Sequence, residues 1–221
     1  MNSFIFNAWT LFVKPDDFFK NIKQASQTKY IVIASFLYGI AHTLGRIDKH
    51  LLNEEFNRAR PGWEILSPYI MESWVNLWFF LVIVGLFAGI IAWYLGGWWY
   101  RIRLQWCGQK ITDKRLARVI YIYSQLVITL PSIACLLIQT VIYSHYRDAT
   151  NSDHWLFVIL SIFPFWSCWV SYCGCTTVFK LEKKLAILWF VILPSMVYLS
   201  MQTLLIGLLK QYATGSFNAF H

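Results

Sequence analysis

The segment Ser73–Tyr100 reads SWVNLWFFLVIVGLFAGIIAWYLGGWWY and carries no Asp, Glu, Lys or Arg. A helix needs about 20 predominantly apolar residues to cross a hydrocarbon core of about 30 Å, and this run exceeds that. Working outward, four more stretches lack formal charge: Tyr30–Gly45, Val119–Tyr143, Trp155–Phe179 and Leu185–Leu209. The first is short and is expected to borrow Arg46 as a snorkelling end residue. The rival reading has four spans, with the first segment lying in the interface. Charged residues make up 14% of the chain, against about 25% in soluble domains, and the AVILMFWYC fraction is 57%. A soluble core of this size cannot hide so much apolar surface.

The expected fold is therefore all-α: a polytopic membrane helix bundle with about five transmembrane helices and an N-terminal amphipathic interfacial helix. Residues 1-29 form a cytoplasmic segment. Residues 30-209 form the membrane domain, with spans at about 30-47, 73-97, 119-143, 155-179 and 185-209, and residues 210-221 form an outside tail. Residues 1-29 lack an apolar core ending in a small-residue cleavage site, so the first span is expected to act as the insertion signal.

Basic residues set the orientation of short loops. The segments 1–29, 98–118 and 180–184 carry thirteen Lys and Arg and share one side of a five-span chain. The other side has six, and loop 45–72 offsets its share with Asp48, Glu54, Glu55, Glu64 and Glu72. The expectation is a multi-pass protein of the bacterial inner membrane, N-terminus cytoplasmic and C-terminus outside. The net charge of +8 sits in loops beside spans, where it attracts anionic headgroups. No nucleic-acid fold is visible, and no nucleic-acid partner is expected.

Ahead of the spans, Lys14-Pro15-Asp16-Asp17 reads as a helix start, because proline suits the first helical position and acids face the positive dipole end. Phe18, Phe19 and Ile22 share one face of the helix that follows, while Lys20 and Lys23 lie largely away from it. Such a helix lies on the membrane surface or packs on its own spans; both bury the Phe face.

In the second span Gly85 and Gly89 form a small-residue row that lets another helix approach closely. That partner is another span of the same bundle or a second copy of the chain. Beyond it come interfacial aromatics with Arg101 and Arg103. Thr112 is expected to cap a helix that runs through Lys114 and Arg115 to Arg118 at the mouth of the third span. Ser67-Pro68 is expected to open the second span.

Pro131, Pro164 and Pro194 fall near the middle of the last three spans. Each frees a backbone carbonyl that must find another partner in lipid. They read as tolerated kinks or, with Gln125, as a candidate midplane cavity. The polar side chains of these spans include no ionisable group, which argues against a proton relay or an ion-coupled pump.

Catalytic machinery is not visible. Cys173 and Cys175 have no His or acidic residue in the same span, whereas a structural zinc site wants four clustered ligands. No activated Ser or Cys stands beside a base. The chain is expected not to be an enzyme, with no cofactor and no metal.

Two runs carry a resemblance: Trp9-Thr10-Leu11-Phe12-Val13-Lys14-Pro15-Asp16-Asp17-Phe18-Phe19, and Lys114-Arg115-Leu116-Ala117-Arg118-Val119-Ile120-Tyr121-Ile122-Tyr123-Ser124 with Pro131 following. With the glycine-bearing second span between them, the chain resembles the bacterial branch of the Yip family of Ypt/Rab-interacting proteins. The resemblance implies an N-in, C-out topology and no catalytic residues. Eukaryotic members bind small GTPases through a long cytoplasmic N-terminal region; here that region is about 29 residues, so the role is not carried over.

The expected function is a Yip-type protein that organises membrane or binds lipid headgroups or a partner protein. It would use a basic cytoplasmic face: Phe18, Phe19, Lys20, Lys23, Arg101, Arg103, Lys114, Arg115 and Arg118. Its partners would be membrane lipids with anionic headgroups, another membrane protein or itself. The alternatives are a small lipid or solute transporter or scramblase using spans 3–5, and an accessory subunit of a larger membrane complex.

Overall fold

The computed structural model describes residues 2–24, 29–55, 62–109, 113–152, 159–200 and 202. Among these residues the secondary structure is helical, with no strand. The chain is an all-α polytopic membrane bundle.

Two short helices lead in, α1 (Asn2–Val13) and α2 (Pro15–Gln24). The start of α2 has the expected chemistry, with Asp16 and Asp17 in the first turn. The first pass is α3 (Lys29–Glu55). It is not short: the helix continues through Arg46 and Asp48, and Tyr30–Leu51 is long and apolar enough to cross a membrane. Gly62, in the left-handed region at φ 87°, precedes α4 (Trp63–Met71). Pro68 lies inside α4 and so does not open the second pass. Ser73 does, its Oγ accepting the Asn76 N–H at 3.2 Å.

The second pass joins α5 (Trp74–Ile91), a π-helical segment Ala92–Gly96 and α6 (Gly97–Trp106). This 33-residue rod is about 50 Å long at 1.5 Å per residue, longer than the hydrocarbon core. The third pass is α7 (Lys114–Ile142), capped by Asp113, whose carboxylate accepts the Arg115 and Leu116 N–H groups at 2.8 and 3.3 Å. The expected cap, Thr112, lies outside the described residues.

After α8 (Tyr146–Ser152) comes α9 (Phe163–Phe179), with 17 residues, the lower limit for a crossing. Its ends lie at opposite ends of the bundle. Gln109 Nε2 donates to the Phe179 carbonyl at 2.8 Å, and Gln202 Nε2 donates to the Ser161 carbonyl at 3.1 Å. The last pass is α10 (Lys183–Ile187), a π-segment Leu188–Ile192, and a helical run to Ser200.

Lipid tails are as apolar as leucine, so close backbone approach rather than hydrophobicity joins helices in a bilayer. The α3–α5 seam shows this. A Cβ on Gly85 would stand 2.9 Å from the Ile40 backbone, and one on Gly89 2.6 Å from the Ser35 carbonyl oxygen. Ser35 Oγ donates to the Gly89 carbonyl at 2.9 Å, worth about 0.6 kcal/mol in a membrane. Gly85 and Gly89 therefore face α3, and the small-residue row is already occupied within the bundle.

One end of the bundle is closed by a polar lock. Tyr146 Oη donates to Asp48, Trp74 Nε1 to the Tyr143 carbonyl at 2.7 Å, and Arg147 pairs with Glu54 at 3.0 Å. Burial, and next the Asp48 carboxylate, push the Tyr146 hydroxyl well above the usual phenol range. The opposite end gathers the basic segments.

Candidate functional site

The basic end is assembled from α2, the turn at 107–109, the first turn of α7 and the 180–182 turn into α10. The Gln109–Phe179 bond ties two of these together. Lys20, Lys114, Arg115, Lys180, Lys183 and Lys184 are exposed there. Lys114 and Arg115 occupy the first turn of α7, and Lys183 and Lys184 that of α10. This is the positive end of each helix dipole, where a cation costs about 0.3–1 kcal/mol. Helix stability therefore does not explain these four positions. At α7 Asp113 already accepts the Arg115 and Leu116 N–H groups, so the feature of this end that attracts anions is its exposed cations.

Behind this surface stand two arginines held by aromatic rings. The Arg118 guanidinium carbon lies 4.7 Å from the Tyr94 ring centre and 5.8 Å from that of Trp93. Both rings belong to the first π-segment. The Arg103 guanidinium carbon lies 4.7 Å from Phe190, in the second π-segment, and 5.2 Å from Tyr100. Arg103 thus points into the bundle. Arg103 lies on the second pass, outside the last three spans for which no ionisable polar group is expected. The sequence places it just beyond a span, but the helix continues and its side chain turns inward.

The lining beside Arg103 is polar but not acidic. Tyr100 is fully buried and donates to the Ser171 carbonyl at 3.0 Å. Tyr38 and Tyr121 hydroxyls stand 3.2 Å apart, and buried Ser167 donates to the Ser124 carbonyl at 2.9 Å. The Nε atoms of Arg101 and Arg103 are shielded and make no hydrogen bond among the described residues. Outside the spans, burial pushes the nearby Cys107 thiol up, with Arg103 opposing.

Both π-segments have local causes. A Cβ on Gly96 would collide with the Tyr121 ring, and one on Gly97 with the Arg118 side chain. The paired glycines let α7 press against the rod. Pro194 lacks an N–H and its ring would strike the Phe190 carbonyl four residues back; the wider π turn relieves this.

The other expected site residues are dispersed. Phe18 and Phe19 are buried against α7 and α9, with the Phe18 ring 5.2 Å from Tyr123 and Phe19 beside Gly174. They are structural anchors, not headgroup contacts, because their own spans cover them. Lys20 is exposed and pairs with Asp17 at 3.1 Å. Lys23 falls in the last turn of α2.

Gln125 and Pro131 are half-buried on α7, where Thr129 and Ser132 hydroxyls donate to carbonyls one turn back at 3.0 and 2.9 Å. Pro164 stands in the first turn of α9, after a turn at 161–162, and not near a helix middle. Reasoning from sequence did not find Gly39 or the inward path of Arg103. For Gly39 a signal exists: Ser35 and Gly39, like Gly85 and Gly89, are small residues four apart.

A family model described as Yip1 domain matches residues 9–206. No curated protein and no solved structure matches the chain.

Proposed function

The chain belongs to the Yip1 domain family, and from that premise we propose a non-enzymatic multi-pass membrane protein whose basic end binds anionic lipid headgroups. In this reading the basic end faces the cytoplasm of a bacterial cell, and the membrane is the inner one. The observation that supports it most is the placement of Lys114, Arg115, Lys183 and Lys184 in two helix first turns at one end. Each disfavours its own helix, is exposed, and makes no ion pair among the described residues. Anionic headgroups are the nearest abundant anions, and each basic residue near them contributes about 1 kcal/mol.

The test is purified protein reconstituted in vesicles of phosphatidylcholine with a fraction of phosphatidylglycerol. Replacing the four residues by Gln should reduce the enrichment of phosphatidylglycerol around the protein more than tenfold at low salt. Added salt should shrink the difference. Unchanged enrichment would contradict the proposal.

A second reading draws on the two π-segments and the turn at 161–162, features that recur where helices open around a ligand. It makes the protein a lipid or solute carrier. Proteoliposome flux with and without Pro131→Ala and Pro164→Ala separates the two, and absence of any flux removes this one.

A further inference from the structure

We propose that the space beside the Arg103 guanidinium, between α6 and the π-segment Leu188–Ile192, holds the phosphate of one anionic phospholipid. This rests on the basic end being the lipid-binding end. It adds a single saturable site inside the bundle, distinct from the diffuse surface charge.

Four observations lead there. First, Arg103 has no counter-ion among the described residues. The ion pairs among the described residues are Lys20–Asp17 and Arg147–Glu54, and neither is near it. Its Nε is shielded and without a hydrogen bond. The side chain is half-buried, and a partly desolvated charge gains from an anion held beside it.

Second, the walls fit a guanidinium–anion pair. Phe190 and Tyr100 pack against each other at 4.9 Å between ring centres and meet the guanidinium from one side, which leaves its fork free to take an anion. The planar fork of Arg suits two phosphate oxygens.

Third, the depth is right for a lipid drawn slightly inward. Phe190 is six residues beyond Lys184, about 9 Å along the helix. The exposed Trp98, Trp99 and Trp106 mark the membrane boundary nearby.

Fourth, the aromatic rings one turn away are apolar and membrane-facing. Trp106 lies 4.4 Å from Trp189 and 5.5 Å from Trp99, ring centre to ring centre. A free phosphate gains nothing from such walls, whereas acyl chains do.

The experiment measures binding of short-chain phosphatidylglycerol, short-chain phosphatidylcholine and inorganic phosphate to the full chain in mild detergent. It is done at low salt and at about 0.5 M NaCl, where surface charge is screened to a few ångströms. The proteins are the wild type, Arg103→Gln, Arg103→Lys, Phe190→Leu and the Gln variant of Lys114, Arg115, Lys183 and Lys184.

The expected result is one saturable phosphatidylglycerol site that survives high salt in the wild type and the four-residue variant. Arg103→Gln should weaken it at least tenfold, and Arg103→Lys should restore part of the loss. Phe190→Leu, which keeps the charge and a buried apolar side chain, should weaken it several-fold and carries the test should Arg103→Gln not fold. Equal high-salt binding in the wild type, Arg103→Gln and Phe190→Leu would overturn the site. Saturation by inorganic phosphate with no gain from the lipid would overturn its assignment to a lipid. Loss of low-salt enrichment in the four-residue variant is the separate signature of the surface reading. Its absence, with the high-salt site intact, would fail that reading alone.

Discussion

Gly39 of α3 and Gly85 of α5 meet backbone to backbone: a Cβ on Gly39 would collide with the Gly85 carbonyl oxygen and stand 2.6 Å from the Gly89 nitrogen. Neither helix can yield without breaking its own ladder. Gly39→Ala should therefore cost several kcal/mol, at the upper end for single substitutions, and lower the thermal midpoint in detergent sharply. Gly45→Ala, with open space around it, should leave the midpoint unchanged or slightly raised. Equal effects at the two positions would contradict the seam.

The N-terminal helices are strapped along α9. Asp16 accepts the Thr177 hydroxyl at 2.8 Å near one end of α9. Toward the other end, Trp166 Nε1 donates to the Phe12 carbonyl at 3.2 Å, and the Phe12 and Phe163 rings stand 6.5 Å apart. Thr177→Val removes one charge-assisted bond, worth about 1.5–3 kcal/mol when shielded and less at this exposed position. Hydrogen exchange should rise in residues 2–24 and stay unchanged across the α3–α5 seam. Uniform protection would show that the strap does not depend on this bond.

Lys180 ends α9 at φ 52°, in the left-handed region. An L-residue pays about 1–2 kcal/mol there, while glycine costs less in the fold but more in the unfolded chain. Lys180→Gly should be stabilising by up to about 1 kcal/mol, seen as a rise in thermal midpoint. A fall would mean that the Lys180 side chain contributes more than its backbone costs.

The proposed orientation puts Lys114 and Asp148 on opposite sides of the membrane. Single cysteines at these positions, in a chain whose native cysteines are replaced by serine or alanine, can be probed in intact cells. A membrane-impermeant maleimide should label position 148 and spare position 114. The reverse pattern would invert the topology while leaving the bundle intact.

Much of the fold was legible because lipid imposes a simple rule: every spanning segment must shed its charge. Ser73–Tyr100 announced itself that way, and Lys14-Pro15-Asp16-Asp17 announced a helix start by local chemistry. Partners were less legible. Gly85 and Gly89 showed that some helix comes close, but a row of small residues does not name which one. Phe18 and Phe19 showed an apolar face, which lipid and protein satisfy equally well. The inward path of Arg103 was not legible because the charge-free stretch ends at Tyr100 while the helix does not. The rod continues through Trp106, and the path of its side chain depends on a π turn on another pass.

The most direct test of the account is the lipid composition next to the basic end. Brominated phosphatidylglycerol and brominated phosphatidylcholine quench nearby tryptophan, and Trp98, Trp99 and Trp106 are exposed at that end. In reconstituted wild-type protein, phosphatidylglycerol should quench more strongly at equal mole fraction. The preference should fall when Lys114, Arg115, Lys183 and Lys184 are replaced by Gln. Equal quenching by the two lipids, with or without the four charges, would contradict the account.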